Sequence, residues 1–304
     1  NVPDFDPNFY NKSDLAFQRN RALSDLYEPG STFKIVAVSG CMNDGLVDAD
    51  DIIDCSVSTV QKGAKKLRLP GDHHPLGKIS VKKVVQKSSN RGAAQLGIKL
   101  GSQRLYEYCR AFGFGEKTGF GIGGERKGIL HHPKNWDGLT ITRLPMGHAV
   151  SATAMQVHSS MSTIANGGVL MKPKFISRVF DEQGKTVTPF NSKPVRRVIQ
   201  PGVAKSLTEM LVSVVSNEGT ARKARVDGFD VAGKTGTTQN NSDGWFIGMM
   251  PNLVTGVWVG AEDRSIHFET IDYGQGASMA LPIWGIYMKS CYQDTILNIS
   301  KEPF

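Results

Sequence analysis

The chain has 304 residues, of which 39% are hydrophobic and 8% aromatic, which is enough for a substantial core without disulfides or a structural metal. This composition excludes a disordered chain and a disulfide-stapled mini-protein. The 36 basic and 28 acidic residues give a net charge of +8, with both signs mixed along the sequence. Length alone is compatible with two domains or with one large one.

Helices and irregular segments account for most of the structure predicted before residue 225. Apolar periodicity and turn residues predict helices at 31–42, 80–100, 102–112, 151–165, 201–216 and, near the end of the chain, 281–292. Ser80 and Gly101 are suitable cap residues for the second of these helices. Residues 113–148 are rich in glycine and proline and are predicted to form a long loop region.

Strands are predicted only towards the end of the chain. They cover 229–238, 245–250 and 254–260, and Pro251-Asn252 is predicted to form a hairpin between the last two. Helices followed by antiparallel strands and a final helix indicate an α/β (α+β) fold with a layered sheet.

The basic excess does not point to nucleic acid. The densest basic stretch lies within 62–87, yet no Phe, Tyr or Trp occurs between Ser56 and Leu105 to stack on bases. No helix-turn-helix or zinc-finger spacing occurs either. We therefore predict no nucleic-acid partner and interpret the charge as a solvated face or as attraction to an anionic polymer.

Cysteine and histidine spacings indicate no metal or redox site. No C-x-x-C pair occurs among the cysteines, which are Cys41, Cys55, Cys109 and Cys291. The histidine pairs at 73–74 and 131–132 precede prolines and lack H-E-x-x-H spacing. We predict neither a metal nor a cofactor.

The first candidate catalytic motif is the Ser31-x-x-Lys34 pair. If Ser31 opens a helix, Lys34 lies one turn later on the same face, where a buried neutral amine can take the hydroxyl proton. The free backbone N–H at the helix start can face an oxyanion. Taken alone the motif is weak, because a helix N-cap also explains Ser31, and the same spacing occurs at Ser80 and Lys83.

The second candidate motif is Lys234-Thr235-Gly236-Thr237, on a predicted strand. A cation, two hydroxyls and a glycine that admits close approach suit an anionic ligand lying along the strand. The N–H of Thr237 would complete an oxyanion hole. An exposed strand lysine is the alternative explanation. A similar Lys-Thr-Gly at 117–119 lies in the glycine-rich region and is interpreted as loop.

Ser88 and Asn90 form the third motif. A hydroxyl and an amide two residues apart can serve as a proton relay and as a donor to the lysine and to a substrate carbonyl. A polar turn between helices explains the same residues without any function.

In their order and combination these motifs resemble the active-site set of penicillin-binding proteins and class A β-lactamases. The resemblance to the transpeptidase domain of a penicillin-binding protein extends over nearly the whole chain. The segments 4–8, 20–34, 113–115 and 219–221 resemble the monofunctional class B enzymes, whereas 242–246, 257–260 and 280–284 resemble the bifunctional class A enzymes.

The resemblance implies one catalytic domain over 1–304, in which helices sandwich an antiparallel sheet. A helical lobe from about 45 to 200 is implied to carry Ser88 and Asn90. In this family two strands of the central sheet usually precede the segment at which the chain begins. We therefore expect a sheet that lacks its first two strands and has an exposed edge.

The implied activity is that of a serine D,D-transpeptidase. A peptidoglycan stem peptide ending in D-Ala-D-Ala would acylate Ser31, and an amine from a neighbouring stem peptide would resolve the acyl-enzyme into a cross-link. β-Lactams would acylate the same serine. By the resemblance, Lys34 is the base, Ser88 and Asn90 relay protons and orient groups, and Lys234 supplies electrostatic support. Thr235 and Thr237, with Gly236 between them, hold the terminal carboxylate.

Three alternatives remain open. A serine β-lactamase shares all the motifs but needs a water-activating base, for which Glu125 is the only acidic candidate in the expected region. A D,D-carboxypeptidase differs in its products. A non-catalytic penicillin-recognising sensor domain is disfavoured because Lys34, Asn90 and Lys234 are all present.

The sequence also gives expectations about location. No run of about 18 apolar residues and no signal-peptide pattern occurs, and the N-terminus has the character of an interior fragment. The resemblance implies an extracytoplasmic site at the periplasmic face of the cytoplasmic membrane, a membrane-anchored parent protein and partners in cell-wall synthesis.

Overall fold

The computed structural model describes all residues except 1–4, 226–229, 239–240, 262, 264, 298, 301 and 303. The α-helices are α1 (Arg21–Ser24), α2 (Lys34–Asn43), α3 (Val81–Gln86), α4 (Asn90–Leu100), α5 (Ser102–Ala111), α6 (Thr140–Arg143), α7 (Ala154–Ala165), α8 (Pro201–Val215), α9 (Ile271–Gly274) and α10 (Gly276–Gln293). Short 3-10 helices cover Pro7–Lys12, Gly30–Phe33, Pro133–Asn135, Leu144–Met146 and Arg222–Ala224.

The strands are mostly short and precede a longer C-terminal set. They are β1 (Ile52–Asp54), β2 (Thr59–Lys62), β3 (Lys65–Arg68), β4 (Lys78–Ser80), β5 (Ile129–Leu130), β6 (Val150–Ser151), β7 (Val169–Met171), β8 (Arg178–Phe180), β9 (Thr186–Pro189), β10 (Pro194–Arg197), β11 (Ala232–Thr237), β12 (Asp243–Met250) and β13 (Leu253–Gly260). Within the described residues, the short strands form two-stranded pairs only.

The central sheet has the order β11-β12-β13 and is antiparallel throughout. Its two faces are covered by helices, as predicted. Added Cβ atoms on Gly244 and Gly248 of β12 would meet Met279 and Trp284 of α10, so this face packs on the last helix. The opposite face packs on α7, where a Cβ on Gly256 would meet a side chain of that helix. In the described part of the chain, β13 forms an open edge of this sheet.

Helix α2 is the centre of the helical part. Its residues from Lys34 to Cys41 are all buried, which fits the broad apolar distribution in the sequence. α4, α5 and α8 pack around it, and Gly40 allows the side chains of Leu100 and Tyr108 to approach closely. The segment that carries the first candidate motif is therefore anchored in the hydrophobic core.

Several element boundaries differ from the sequence predictions for local reasons. The predicted helix 80–100 is two helices, because Ser88 has a positive φ of 56° and the Ser89 side chain caps α4 by accepting from Gly92 N. The last helix starts at Gly276 rather than at 281 and contains Pro282 in its interior.

Other predicted features are reproduced. Ser80 caps α3 and Gly101 ends α4. The hairpin at Pro251-Asn252 joins β12 to β13. The predicted strand start at Phe229 lies outside the described residues.

The four cysteines are buried free thiols. None of the described helices is both long and apolar enough to cross a membrane.

Candidate active site

Three distant segments of the chain meet at one point, which is the hydroxyl of Ser88. Lys34 Nζ donates to Asn90 Oδ1 at 2.7 Å, to Ser88 Oγ at 3.1 Å and to the carbonyl oxygen of Ser88. From the third segment, Lys234 Nζ donates to the same Ser88 Oγ at 2.9 Å and to the carbonyl oxygen of Thr235 at 3.0 Å. The Ser88 hydroxyl is therefore shared between two lysine amines.

Both lysines are held in an environment that disfavours their charge. Their exposed fractions are 1% for Lys34 and 0% for Lys234. Burial, followed by the nearby charge of Lys234, lowers the pKa of Lys34 well below its usual range, although Asp72 opposes this shift. Burial lowers the pKa of Lys234 to about 7. The lowered pKa of Lys34 increases the fraction of neutral amine that can accept a proton at a given pH.

Ser31 lies on the 3-10 turn that immediately precedes α2, rather than in the α-helix itself. Gly30 gives this turn its shape, with a positive φ of 57°, and its N–H donates to the carbonyl oxygen of Gly147 at 3.2 Å. A Cβ on Gly147 would lie 2.0 Å from the carbonyl oxygen of Gly30, so the two backbones are in direct contact. The serine is half-buried and lines the cleft, with its N–H at the start of a helical turn.

The backbone of Thr237 faces the Ser31 turn. Thr238 N donates to Asp243 O, one residue beyond the last pair of the ladder, Thr237 and Gly244. A bond between these flanking residues marks Thr237 and Gly244 as a non-hydrogen-bonded pair, so the N–H and C=O of Thr237 point away from β12. On that side a Cβ on Gly30 would lie 2.7 Å from Thr237 O and 3.6 Å from Thr237 N. The serine turn and the backbone of Thr237 are therefore adjacent, and Ser31 and Thr237 line the same cleft.

The side chains of β11 are fixed by neighbouring segments. Thr235 Oγ1 lies 3.0 Å from the hydroxyl of Thr220, and Thr237 Oγ1 accepts from Gly276 N at 3.2 Å. A Cβ on Gly236 would lie 2.9 Å from the Thr32 side chain, so only glycine lets the strand approach the serine turn this closely.

A cleft of about 470 Å³ opens over these groups. All predicted site residues except Lys34, Lys234 and Gly236 line it. The two lysines bond the lining residue Ser88, and Gly236 stands between the lining residues Thr235 and Thr237. No acidic residue lines the cleft in the described part of the chain. Much of the wall consists of basic and hydroxyl-bearing side chains, which include His73, Lys87, Arg143, His148, Thr220, Thr235, Thr237 and Thr238. The cleft is suited to an anionic ligand.

The look-alike motifs have structural roles. Ser80 is the N-cap of α3, accepting from Lys83 N. Thr118 lies in a loop where its N–H and hydroxyl donate to Glu125. Glu125 also accepts from Gly119 N at 3.2 Å, so its carboxylate holds a loop and does not line the cleft.

The sequence predictions did not include Asp72, Gly147 and His148. Asp72 accepts from Ser89 Oγ at 2.8 Å, and also from the N–H groups of Asn90 and Arg91. His148 Nδ1 lies 2.8 Å from Glu28 Oε2, three residues before Ser31. No spacing rule connects these residues to the motifs, although Gly147 stands in a run of turn residues in the predicted loop region.

An antiparallel sheet between helices, with the serine turn, the shared Ser88 hydroxyl and the Lys-Thr-Gly strand around one cleft, defines the class of penicillin-recognising active-site-serine proteins. The family model of the penicillin-binding protein transpeptidase domain matches residues 1–277. The chain belongs to this family.

Individual relatives agree with this assignment. Stage V sporulation protein D of Bacillus subtilis is 34% identical over 99% of this chain and 47% of its own length. The probable peptidoglycan D,D-transpeptidase PenA of Neisseria meningitidis is 28% identical over 80% of this chain and 39% of its own length. Penicillin-binding protein 3 of Mycobacterium tuberculosis, solved as a complex with ampicillin, has a TM-score of 0.76 and 28% identity, covering 94% of this chain and 66% of that one. The chain thus spans less than half the length of these two curated relatives.

Proposed function

We propose that the chain is a D,D-transpeptidase domain that cross-links peptidoglycan through an acyl-enzyme on Ser31. The observation that carries this proposal is the buried amine of Lys34, three residues after Ser31, whose charge is disfavoured and whose Nζ bonds Ser88 and Asn90. The name of the Neisseria relative and the ampicillin complex of the Mycobacterium neighbour support it.

In the acylation step, Ser31 Oγ attacks the carbonyl carbon between the two terminal D-Ala residues. The hydroxyl proton passes to Lys34 Nζ, and the N–H groups of Ser31 and Thr237 hold the oxyanion of the tetrahedral intermediate. The C–N bond then breaks, and the leaving D-Ala amine takes a proton from Lys34 through Ser88 Oγ. The products are an ester on Ser31 and free D-Ala.

In the second step, the amine of another stem peptide attacks the ester carbonyl. It loses one proton to the same relay, the C–O bond to Ser31 breaks, and Ser31 Oγ regains a proton. Lys34 Nζ has no hydrogen bond to Ser31 Oγ among the described contacts, and its partners are on Ser88 and Asn90. We expect the contact to Ser31 Oγ to form when substrate closes the site, as is common in catalytic pairs.

The remaining site residues are assigned binding and electrostatic roles. Asn90 orients Lys34 through its Oδ1 and donates through Nδ2 to the carbonyl oxygen of Gly71 at 2.8 Å. When protonated, Lys234 supplies positive charge near the carboxylate of the substrate. Thr235 and Thr237 provide hydroxyls along β11 for that carboxylate, and Gly236 allows the strand to lie against the serine turn.

A fluorescent penicillin tests the proposal. The β-lactam ring opens as its carbonyl bonds to Ser31 Oγ, so the intact protein gains the mass of the penicillin. We expect lasting labelling of the wild type and none of Ser31→Ala, with Ser80→Ala as the control because Ser80 has the same sequence context but caps α3. Equal labelling of wild type and Ser31→Ala would remove Ser31 from the mechanism.

Product analysis separates the related activities. A transpeptidase joins a D-Ala-D-Ala peptide to an amine acceptor, whereas a carboxypeptidase releases D-Ala to water, and a β-lactamase turns over penicillin without lasting label. Glu125 is the acidic candidate for the base of a β-lactamase. It accepts hydrogen bonds from Thr118 and Gly119 in a loop and does not line the cleft, which argues against the β-lactamase alternative. A silent sensor domain would show no turnover of a D-Ala-D-Ala substrate.

The proposal extends to the whole domain and its setting. We propose one catalytic unit over 1–304 with a helical lobe from about 45 to 200, within a longer, membrane-anchored parent. The relatives are penicillin-binding and peptidoglycan proteins by name, so we place the site outside the cytoplasm, at the cell wall, with stem peptides and β-lactams as ligands.

A further inference from the structure

The carboxylate of Asp72, which lies outside the three motifs, accepts hydrogen bonds from the start of helix α4. Asp72 lies in the connection between β3 and β4, and its Oδ2 accepts from Ser89 Oγ at 2.8 Å. Its Oδ1 accepts from Arg91 N at 3.2 Å and also from Asn90 N. The preceding residue, Gly71, accepts from Asn90 Nδ2 at 2.8 Å. One short loop thus binds both the backbone and the side chain of Asn90.

This clamp lies next to a residue in a disfavoured conformation. Ser88 is one of three described non-glycine residues with a positive φ, at 56°. Such a conformation is energetically unfavourable and persists only where surrounding contacts determine it. On one side the end of α3 holds the turn, because Ser88 N and Ser89 N donate to the carbonyls of Val85 and Val84. On the other side Asp72 holds Ser89 and the first amides of α4.

We propose that Asp72 is a positioning residue for the proton relay: its carboxylate fixes the α3–α4 turn so that Ser88 Oγ lies between the two lysine amines, and its charge faces Lys34. The proposal rests on the proposed function, because it assigns Asp72 a role in acylation. It differs from a simple helix cap in predicting an effect on the chemistry of Lys34.

The charged groups around Lys34 determine whether its pKa rises or falls when Asp72 is replaced. The charged or titratable groups that act on its amine are Lys234 from β11, Asp72 and His73 from the β3–β4 connection. Lys234 opposes protonation of Lys34 and Asp72 favours it. Removing the Asp72 charge therefore lowers the pKa of Lys34 further, and more of the amine is neutral at a given pH. The rising part of the acylation rate against pH should move to lower pH.

The test compares Asp72→Asn with Asp137→Asn. Asp137 also binds amides at the start of a helix, α6, accepting from Leu139 N, Thr140 N and Thr140 Oγ1 at 2.7 to 2.9 Å, and it does not line the cleft. The second-order rate constant for labelling by fluorescent penicillin is measured from pH 5 to 10, together with the melting temperature. His73→Gln is made in both backgrounds, so that titration of this imidazole is removed from the comparison.

For Asp72→Asn we expect the plateau rate to fall by roughly 10- to 100-fold, because the relay is misplaced, and the rising limb to shift to lower pH. Asp137→Asn should change neither quantity. An unchanged plateau, or a lower plateau with an unshifted limb, would show that Asp72 only stabilises the helix and would overturn the assignment. Absence of labelling in the wild type is a separate result, which refutes the proposed function itself.

Discussion

Replacing Gly30 by alanine should disrupt the proposed oxyanion site without removing any of the proposed catalytic side chains. The added Cβ would lie 2.7 Å from the carbonyl oxygen of Thr237, closer than the 3.0 Å that real side chains respect. The obstacle is backbone on both sides, so no side-chain rotation relieves it. The serine turn and β11 must therefore separate by a few tenths of an ångström or more.

Gly30→Ala should have two costs, backbone strain at a positive φ and the close contact with Thr237, and a second variant distinguishes them. An alanine at φ 57° is strained by about 1 kcal/mol, whatever surrounds it. Gly45→Ala has the same backbone cost at φ 66° but meets nothing within 4 Å. The difference between the variants isolates the contact with Thr237. If the separation removes one oxyanion donor, acylation should slow by roughly 100-fold or more, or about 3 kcal/mol.

The assay is the second-order rate constant for labelling by fluorescent penicillin, measured on folded protein with the melting temperature as a check. Gly45→Ala should label at close to the wild-type rate despite a lower melting temperature. Equal labelling rates for Gly30→Ala and Gly45→Ala would refute the inference that Ser31 N–H and Thr237 N–H form one oxyanion site.

Two further predictions concern stability. Burial lowers the pKa of Lys234 from its ordinary value of 10.5 to about 7 in the folded chain. Between pH 7 and 10.5 the unfolded chain therefore binds more protons than the folded chain. The free energy of unfolding rises with pH in this range, by up to about 1.4 kcal/mol per pH unit. Denaturation at pH 7 and pH 9 should show a smaller rise for Lys234→Met than for wild type; equal rises would contradict the buried-charge argument. The second prediction compares two glycines. Gly285→Ala, in α10, should stabilise the folded protein by about 0.5–1 kcal/mol, because nothing lies within 4 Å of the added Cβ. Gly248→Ala should destabilise it by about 1–3 kcal/mol, because the added Cβ would lie 2.4 Å from Trp284. Denaturant unfolding measures both, and equal shifts would show that α10 can move away from the sheet.

Local chemistry in the sequence predicted much of the fold. Capping and turn residues such as Ser80, Gly101 and Pro251 identified their elements because their effect is exerted within a few residues. The residue types around Ser31 and Lys234 identified candidate chemistry for the same reason. The fold class and the family that they indicated are both confirmed.

What the sequence did not predict depends on contacts between distant segments. The helix break at Ser88 is stabilised in part by Asp72, which lies outside any local motif. The shape of the serine turn depends on Gly147, which is far from Gly30 in the chain. The first residue of α10, Gly276, packs closely on β12, since a Cβ there would lie 2.1 Å from the carbonyl oxygen of Trp245. No spacing rule contains such information.

The convergence of three distant segments on one hydroxyl has a practical consequence. Lys34 and Ser88 are 54 residues apart, and Lys234 is 146 residues beyond Ser88, so the reactive arrangement exists only in chains whose two halves have docked. If penicillin labels Ser31 as proposed, the fraction of this protein that carries the label would therefore equal the fraction that is folded, even in a crude extract. The labelled fraction could serve as a folding assay for variants of this domain that are too scarce to purify.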